Sequence, residues 1–407
     1  MLWIVGNAFK DIRDYMHRED ISYGLLTNAL MPPVRIPSDV PIAALDFSSS
    51  ESLRVSARDA RLDISAILAA GYENYVLPAA ILADQYRVPG LSLSAAAATT
   101  DKLLMRQRFN EYNSTISPDF NLVNSWQDIE RFMLTHQFPV MLKPTNLMKS
   151  LFITMNDTLD ELRANYAAII SSLDDINNKV YTMYPPQVLI EECMEGSMHT
   201  VAGFADASGR AHLYGQVVDC ITGHDAGKGE NYIYSRQLPS ACSDNDVAEI
   251  LEVSRQGVIA LGLTNTMLHI ELMLTSTGPK IIEIGARIGG YRSRMYAHAS
   301  GVDMYSIMLA VSRGEVPDIV QAQPRPIAVI ELFPDTEGAF AGVTAREKLE
   351  SLPSLHYFDI KARSGQTVGR ASKGYKASAV VILAHNDPVQ FHADCKAVSS
   401  LVRIEVS

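Results

Sequence analysis

The sequence of 407 residues predicts a mixed α/β and α+β protein in three parts. A parallel α/β unit covers residues 1–98, a larger unit 99–320, and a strand-rich unit 321–407. Three observations lead there. The first hundred or so residues alternate apolar strands with helices, as in a parallel sheet covered on both faces. Residues 264–294 read as strand, turn, strand, then a loop into a helix. Beyond residue 321 the chain holds three apolar runs, Ala328 to Leu332, Leu355 to Lys361 and Ala379 to Ala384.

Composition narrows the function. Apolar residues at 47% and charged residues at 20% are ordinary for a globular chain of two to three domains. A formal charge of −11 without a Lys/Arg cluster argues against a nucleic-acid surface. No apolar run approaches the roughly 18 residues that a membrane helix needs. MLWIVGNAFK lacks the basic start of a signal peptide, so a cytoplasmic protein is expected. Cys193, Cys220, Cys242 and Cys395 have no C-x-x-C spacing and read as reduced thiols, not a zinc site.

In order, strands are expected at Leu2 to Gly6, Ile21 to Leu26, Pro41 to Asp46 and Leu62 to Leu68. Helices are expected before Arg18, at Ser50 to Ala60 and at Glu73 to Tyr86. Val5-Gly6-Asn7 resembles a nucleotide-binding turn, but no G-x-G-x-x-G follows. Pro89-Gly90 and the small-residue run Ser94 to Thr100 mark a boundary. A helix capped by Thr100 or Asp101 then carries Lys102 and Arg106 one turn apart. The apolar strand Val140 to Leu142 delivers Lys143, and Pro144 should end its pairing. A loop without glycine, 145–150, includes Lys149 and Ser150. Asp157 to Leu173 is an amphipathic helix, and the strand Val188 to Ile190 runs into Glu191-Glu192-Cys193-Met194-Glu195-Gly196. After the strand His212 to Cys220, the polar segment Thr222 to Arg236 is long for a connection and reads as a substrate-facing loop. Val247 to Leu261 is a helix with Gly262 as its C-cap. Further helices run to about Ser300 and over Asp303 to Arg313.

The hairpin of 264–294 carries the chemistry. His269 and Glu271 share one face of its first strand, opposite Leu268, Ile270, Leu272 and Leu274. On the return strand Ile282 and Ile284 are apolar, while Glu283, Gly285 and Arg287 take the polar face. A turn over 275–279 pairs Leu274 with Lys280 and therefore Glu271 with Glu283. Carboxylates about 5 Å apart repel by about 3 kcal/mol at an effective dielectric of about 20. A hard divalent cation such as Mg²⁺ removes that conflict. The bland alternative is a solvent-facing hairpin with charges at chance positions.

ELMLTSTGPKIIEIGARIGG resembles the metal-binding end of the ATP-grasp superfamily, in the carboxylate–amine ligase branch that includes bacterial L-amino acid ligases; biotin carboxylases share the pattern. The resemblance implies an ATP-grasp fold with a lid at about 135–195. It also implies ATP as substrate and Mg²⁺, or Mn²⁺, on Glu271 and Glu283. Arg287 would lie by the transferring phosphoryl group as a catalytic residue, with Glu283 beside it. The matching nucleotide contacts are Lys102, Lys143, Glu191 and Met194, with His199 where biotin carboxylases place a histidine. Lys149 and Ser150 stand in for the glycines usual in the lid. Gly289 and Gly290 would open backbone N–H groups to substrate, and Arg292 or Arg294 would pair with a substrate carboxylate. Gly285 replaces the asparagine usual two residues after the second glutamate. The activity implied is amide or peptide bond formation through an acyl phosphate, on small-molecule acids and amines such as amino acids, in a chain compatible with a homodimer. Two alternatives stand beside it: bicarbonate activation as in biotin carboxylase, and a nucleotide-binding regulatory protein with weakened catalysis.

Overall fold

A computed structural model describes residues 1–6, 10–31, 40–69, 71–147, 151–180, 183–228 and 232–407, with only the backbone for 174–180. The N-terminal strands form a parallel sheet in the order Ile42–Leu45, Tyr23–Asn28, Leu2–Val5, Ala66–Ala69. Leu2 to Val5 are all buried, as a strand covered on both faces must be. Asn7 of the Val5-Gly6-Asn7 turn lies outside the described residues.

An antiparallel sheet of eight strands occupies the centre. Its order is Gly278–Gly285, Thr266–Thr275, Ser197–Ala205, Ala211–Thr222, Ile233–Leu238, Ile327–Leu332, Ala379–Ala384, Leu355–Ile360. Strands beyond residue 321 therefore continue the same sheet, through Ser235 opposite Ile330, so the expected boundary at 321 does not divide it. One face packs with the N-terminal sheet and the helices Arg292–Ser300 and Met304–Ser312, in a core containing Phe204, Met267, Met295 and Leu25. The other face, with Leu268, Ile270 and Leu272, lies against the helices Lys102–Asn113 and Asp244–Leu261. A separate antiparallel sheet, called the lid sheet after the span of about 135–195 expected of a lid, runs in the order Phe120–Val123, Val188–Glu192, Val140–Pro144, Thr154–Asn156.

Several local expectations need correction. The run Ser94 to Thr100, expected to mark a boundary, is most of the helix Leu93–Thr100. The Ser92 side chain caps it, and alanines at 95, 96 and 98 let it sit in the core. Pro144 does not end pairing: it stands opposite Val188, and Thr145 N–H donates to the Gln187 carbonyl at 2.9 Å. Of the segment Thr222 to Arg236, residues from Ile233 onward are ladder strand. Its described remainder packs on the C-terminal part through Ala226 and Tyr232, and Lys228 donates to the Ser399 carbonyl.

The hairpin differs most instructively. Its turn is two residues, Ser276 and Thr277, so Met273, not Leu274, opposes Lys280. A regular ladder from there would set Glu271 opposite Ile282. Instead a β-bulge skips Ile282 and restores Glu271 opposite Glu283. Ile281 and Ile284 consequently fill the core, and Ile282 is only half-buried.

Gly196, between the lid sheet and the strand Ser197–Ala205, has φ +151°, and a Cβ there would stand 2.0 Å from the Leu274 carbonyl oxygen. Neither conflict can relax without moving the hairpin backbone. Gly196→Ala should cost about 1–3 kcal/mol and lower Tm by several degrees in calorimetry. Gly290→Ala, with nothing within 4 Å of its Cβ, should leave Tm unchanged.

Candidate functional site

The hairpin strand Gly278–Gly285 is the outer strand of the large sheet, and the start of the helix Lys102–Asn113 and the lid sheet meet it there. Glu271 and Glu283 face each other across the ladder. Each has a cationic or donating neighbour. His269 Nε2 lies 3.2 Å from Glu271 Oε1, and Lys102 Nζ lies 3.5 Å from Glu283 Oε2. Burial works against the Glu271 charge, but the His269 contact holds its carboxyl below the ordinary range. Both carboxylates keep 25% of their side-chain surface open, so a ligand can reach them. Opposed hard oxygen donors that are partly open suit Mg²⁺.

Asp101 caps its helix through both the Leu103 and Leu104 N–H groups, which fixes Lys102 at the first turn. The Lys102 N–H donates to the Thr145 carbonyl at 2.7 Å and its ammonium to the Leu147 carbonyl at 3.2 Å. The helix start is thus tied to the loop that follows Lys143. Lys149 and Ser150, further along that loop, lie outside the described residues.

Glu191, a nucleotide contact by the resemblance, is wholly buried, and its carboxylate is taken up by two cations. Lys143 Nζ meets Oε2 at 2.6 Å, while Arg106 forks onto Oε1 at 2.9 Å and Oε2 at 3.3 Å. Burial would raise this carboxyl; the Arg106 and Lys143 charges outweigh it and hold it at about 2. Lys143 moves down, because burial outweighs its share of one carboxylate that serves two cations. Met194 stands half-buried in the connection after this strand. Glu192 bonds Lys280 and the Asp119 N–H.

Three arginines differ in what they already hold. Arg287 pairs with Glu73, from the N-terminal unit, and donates to the Ile288 carbonyl at 3.0 Å. Burial, then the nearby Arg292 charge, push it down to about 10, so it stays cationic at neutral pH. Gly285 leaves ordinary van der Waals room for that pair: its missing Cβ would lie 3.7 Å from Glu73 Oε1. Arg292 is buried against Thr200 Oγ1, at 2.7 Å from Nη2, and Thr200 stands opposite Glu271 in the ladder. Arg294 does not offer a free fork to substrate: Asp11 takes it at 2.9 and 2.6 Å. Gly289 lets its backbone approach His269, whose Nδ1 would be 2.5 Å from a Cβ there.

His199 does not join this group. It neighbours Thr200, so it points through the opposite face of the sheet, the face of its ladder partner Leu272. There it bonds Asp219 at 3.0 Å and Ser197 at 2.6 Å, and Cys242 Sγ lies 3.7 Å from both ring nitrogens. These three residues form a Cys–His–Asp cluster that the scattered sequence positions did not suggest. The thiol is equidistant from the two nitrogens instead of aimed at one, and burial raises it, so the arrangement does not make a nucleophile. Asp219 is further satisfied by Ser240 and the Ala241 N–H.

Residues 136–294 match the ATP-grasp domain. The chain carries an ATP-grasp domain. Over its whole length it superposes on the L-amino acid ligase of Bacillus licheniformis, covering 98% of that chain at a TM-score of 0.79 and 15% identity, a likeness of fold. In sequence it is 28% identical over 212 residues to the phosphoribosylamine–glycine ligase of Methanobrevibacter smithii, 49% of this chain and 47% of that one. It is 23% identical over 277 residues to the alanine–anticapsin ligase of Bacillus subtilis, 64% of this chain and 58% of that one. The chain spans about half the length of the curated relatives it matches. Sequence reasoning left out Glu73 and set Arg106 beside Lys102 without a partner, since Arg287 and Glu191, which they bond, lie 214 and 85 residues away.

Glu191 sets a pH dependence. Its carboxyl titrates lower folded than unfolded, so its stabilising share is complete above about pH 4.5 and is lost as pH falls toward 2. Glu191→Gln should be less stable at pH 7, with two buried cations unpaired, and should show a shallower loss of denaturation midpoint between pH 4.5 and 2.

Proposed function

We propose that the protein is an ATP-dependent carboxylate–amine ligase that joins an amino acid to a second small molecule through an amide or peptide bond. The observation that carries this is the opposed pair Glu271 and Glu283, set beside Lys102 at the mouth of a buried lysine site. The names of the curated relatives support the same chemistry, since each joins an amine to a carboxylate. Mg²⁺, or Mn²⁺, held by Glu271 and Glu283 would supply positive charge against the phosphates of ATP. Lys102 and Lys143 place those phosphates as point charges. The substrate carboxylate attacks the γ-phosphorus, the bond to ADP breaks, and an acyl phosphate forms. The amine then attacks the acyl carbon, loses a proton, and expels inorganic phosphate. Arg287 stabilises the oxygens that gain charge in both steps, and its bond to Glu73 lets the N-terminal unit set its aim. Arg292, with no carboxylate partner among the described residues, is the cation best suited to a substrate acid group. Catalysis by positioning and charge needs no protein nucleophile. ATP as substrate and four free thiols favour a cytoplasmic setting.

Incubation with ATP, Mg²⁺ and pairs of amino acids should yield ADP, a ligated product by mass spectrometry, and ¹⁸O carried from the labelled carboxylate into phosphate. AMP as product, or unlabelled phosphate, would contradict the route. Hydrolysis stimulated by bicarbonate alone would favour the carboxylase reading. Glu283→Gln should lower turnover by about 10²-fold or more, with the far-ultraviolet dichroism unchanged.

A further inference from the structure

Arg106 is wholly buried, yet the chemistry above does not use it. Its Nε and Nη2 fork onto Glu191, and Nη2 also donates to the Ile282 carbonyl at 2.8 Å. Ile282 is the residue that the bulge leaves out of the ladder, so its carbonyl is available. Nη1 has no acceptor among the described residues. Stability alone is a poor reason to keep such a group: a buried unsatisfied N–H costs about 1–3 kcal/mol, and two buried cations share a single carboxylate here.

We propose that Arg106 is a positioning residue that keeps the Lys143 ammonium effective toward the nucleotide phosphates by taking up the Glu191 carboxylate, while it fastens the strand Val188–Glu192 to the bulge beside Glu283. The inference rests on the ATP-dependent reading. Lys143 sits 2.6 Å from Glu191. Alone, those two would be a neutral pair, and a phosphate nearby would meet a dipole instead of a charge. With Arg106 present the three groups carry one net positive charge. The same guanidinium spans the strand Val188–Glu192 and the hairpin strand Gly278–Gly285, so Lys143 and the two glutamates keep a fixed relation.

The test compares ATP affinity of the wild type, Arg106→Gln, Glu191→Gln and the double variant by titration calorimetry, with steady-state kinetics on each. Arg106→Gln should weaken ATP binding by about tenfold or more and raise KM for ATP more than it lowers kcat. The double variant should recover most of the affinity, because Lys143 then has a neutral neighbour. A purely structural arginine would make the double variant bind as weakly as the single one, or more weakly; that result overturns the proposal. Arg106→Lys, which keeps the charge but not the fork, should retain affinity within about threefold even if its Tm falls; a loss equal to that of Arg106→Gln would overturn it too. Wild-type protein that binds no ATP overturns the ATP-dependent reading itself. Wild-type binding with Arg106→Gln unaffected overturns this inference alone.

Discussion

Ile282 is one residue more than a regular ladder between the hairpin turn and the glutamate pair requires, and the site depends on where that residue goes. The two-residue turn, left to itself, would turn Glu283 toward the core and set Ile282 opposite Glu271. A register shift by one residue moves every side chain to the other face. The bulge takes up the difference. It returns Glu283 to the face of Glu271, leaves Ile281 and Ile284 in the core, and frees a carbonyl that Arg106 accepts as partner. Two carboxylates brought together in this way repel, and the repulsion is met by His269 on one side and Lys102 on the other.

Around this pair the charges come in linked sets and not as isolated bridges. Lys102 joins Glu283 to the loop after Lys143; Lys143 and Arg106 share Glu191; Arg106 returns to the hairpin at Ile282. The loop of contacts connects the lid sheet, the helix Lys102–Asn113 and the outer strand of the large sheet. A second set, Arg287 with Glu73 and Arg294 with Asp11, ties the hairpin and the helix after it to the N-terminal unit. Glu271, Glu283, Lys102, Lys143, Arg287 and Arg294 are thereby held by one another and by the N-terminal unit.

Much of this was legible in the sequence because it rests on period and short spacing. The alternation of Met267 to Leu274 and of the return strand put the glutamates on one face, and the capped start of the Lys102 helix is a local signal. Gly262 as a C-cap, with φ +64°, follows from the same local rules. What escaped was set by tertiary context. The bulge cannot be read from Ile281-Ile282, two equivalent residues of which only one is buried. The parity of His199 depends on pairing with Leu272, so its direction was open until the sheet was known. Glu73, Arg106 and Asp11 acquire meaning only from partners far along the chain, and the free appearance of Arg294 in sequence ends with Asp11. The run Ser94 to Thr100 showed in sequence only as a boundary mark and not as a helix, because small residues that suit a turn also suit a tightly packed helix.

The central claim is that the bulged hairpin holds a divalent cation between Glu271 and Glu283. Anomalous scattering from crystals grown with Mn²⁺ and ADP tests it most directly. The account predicts a manganese peak bridging these two carboxylates, next to Lys102 and the nucleotide phosphates. A peak elsewhere, for example at His199, Asp219 and Cys242 on the opposite face of the sheet, or nucleotide bound with no manganese at the glutamates, would contradict it.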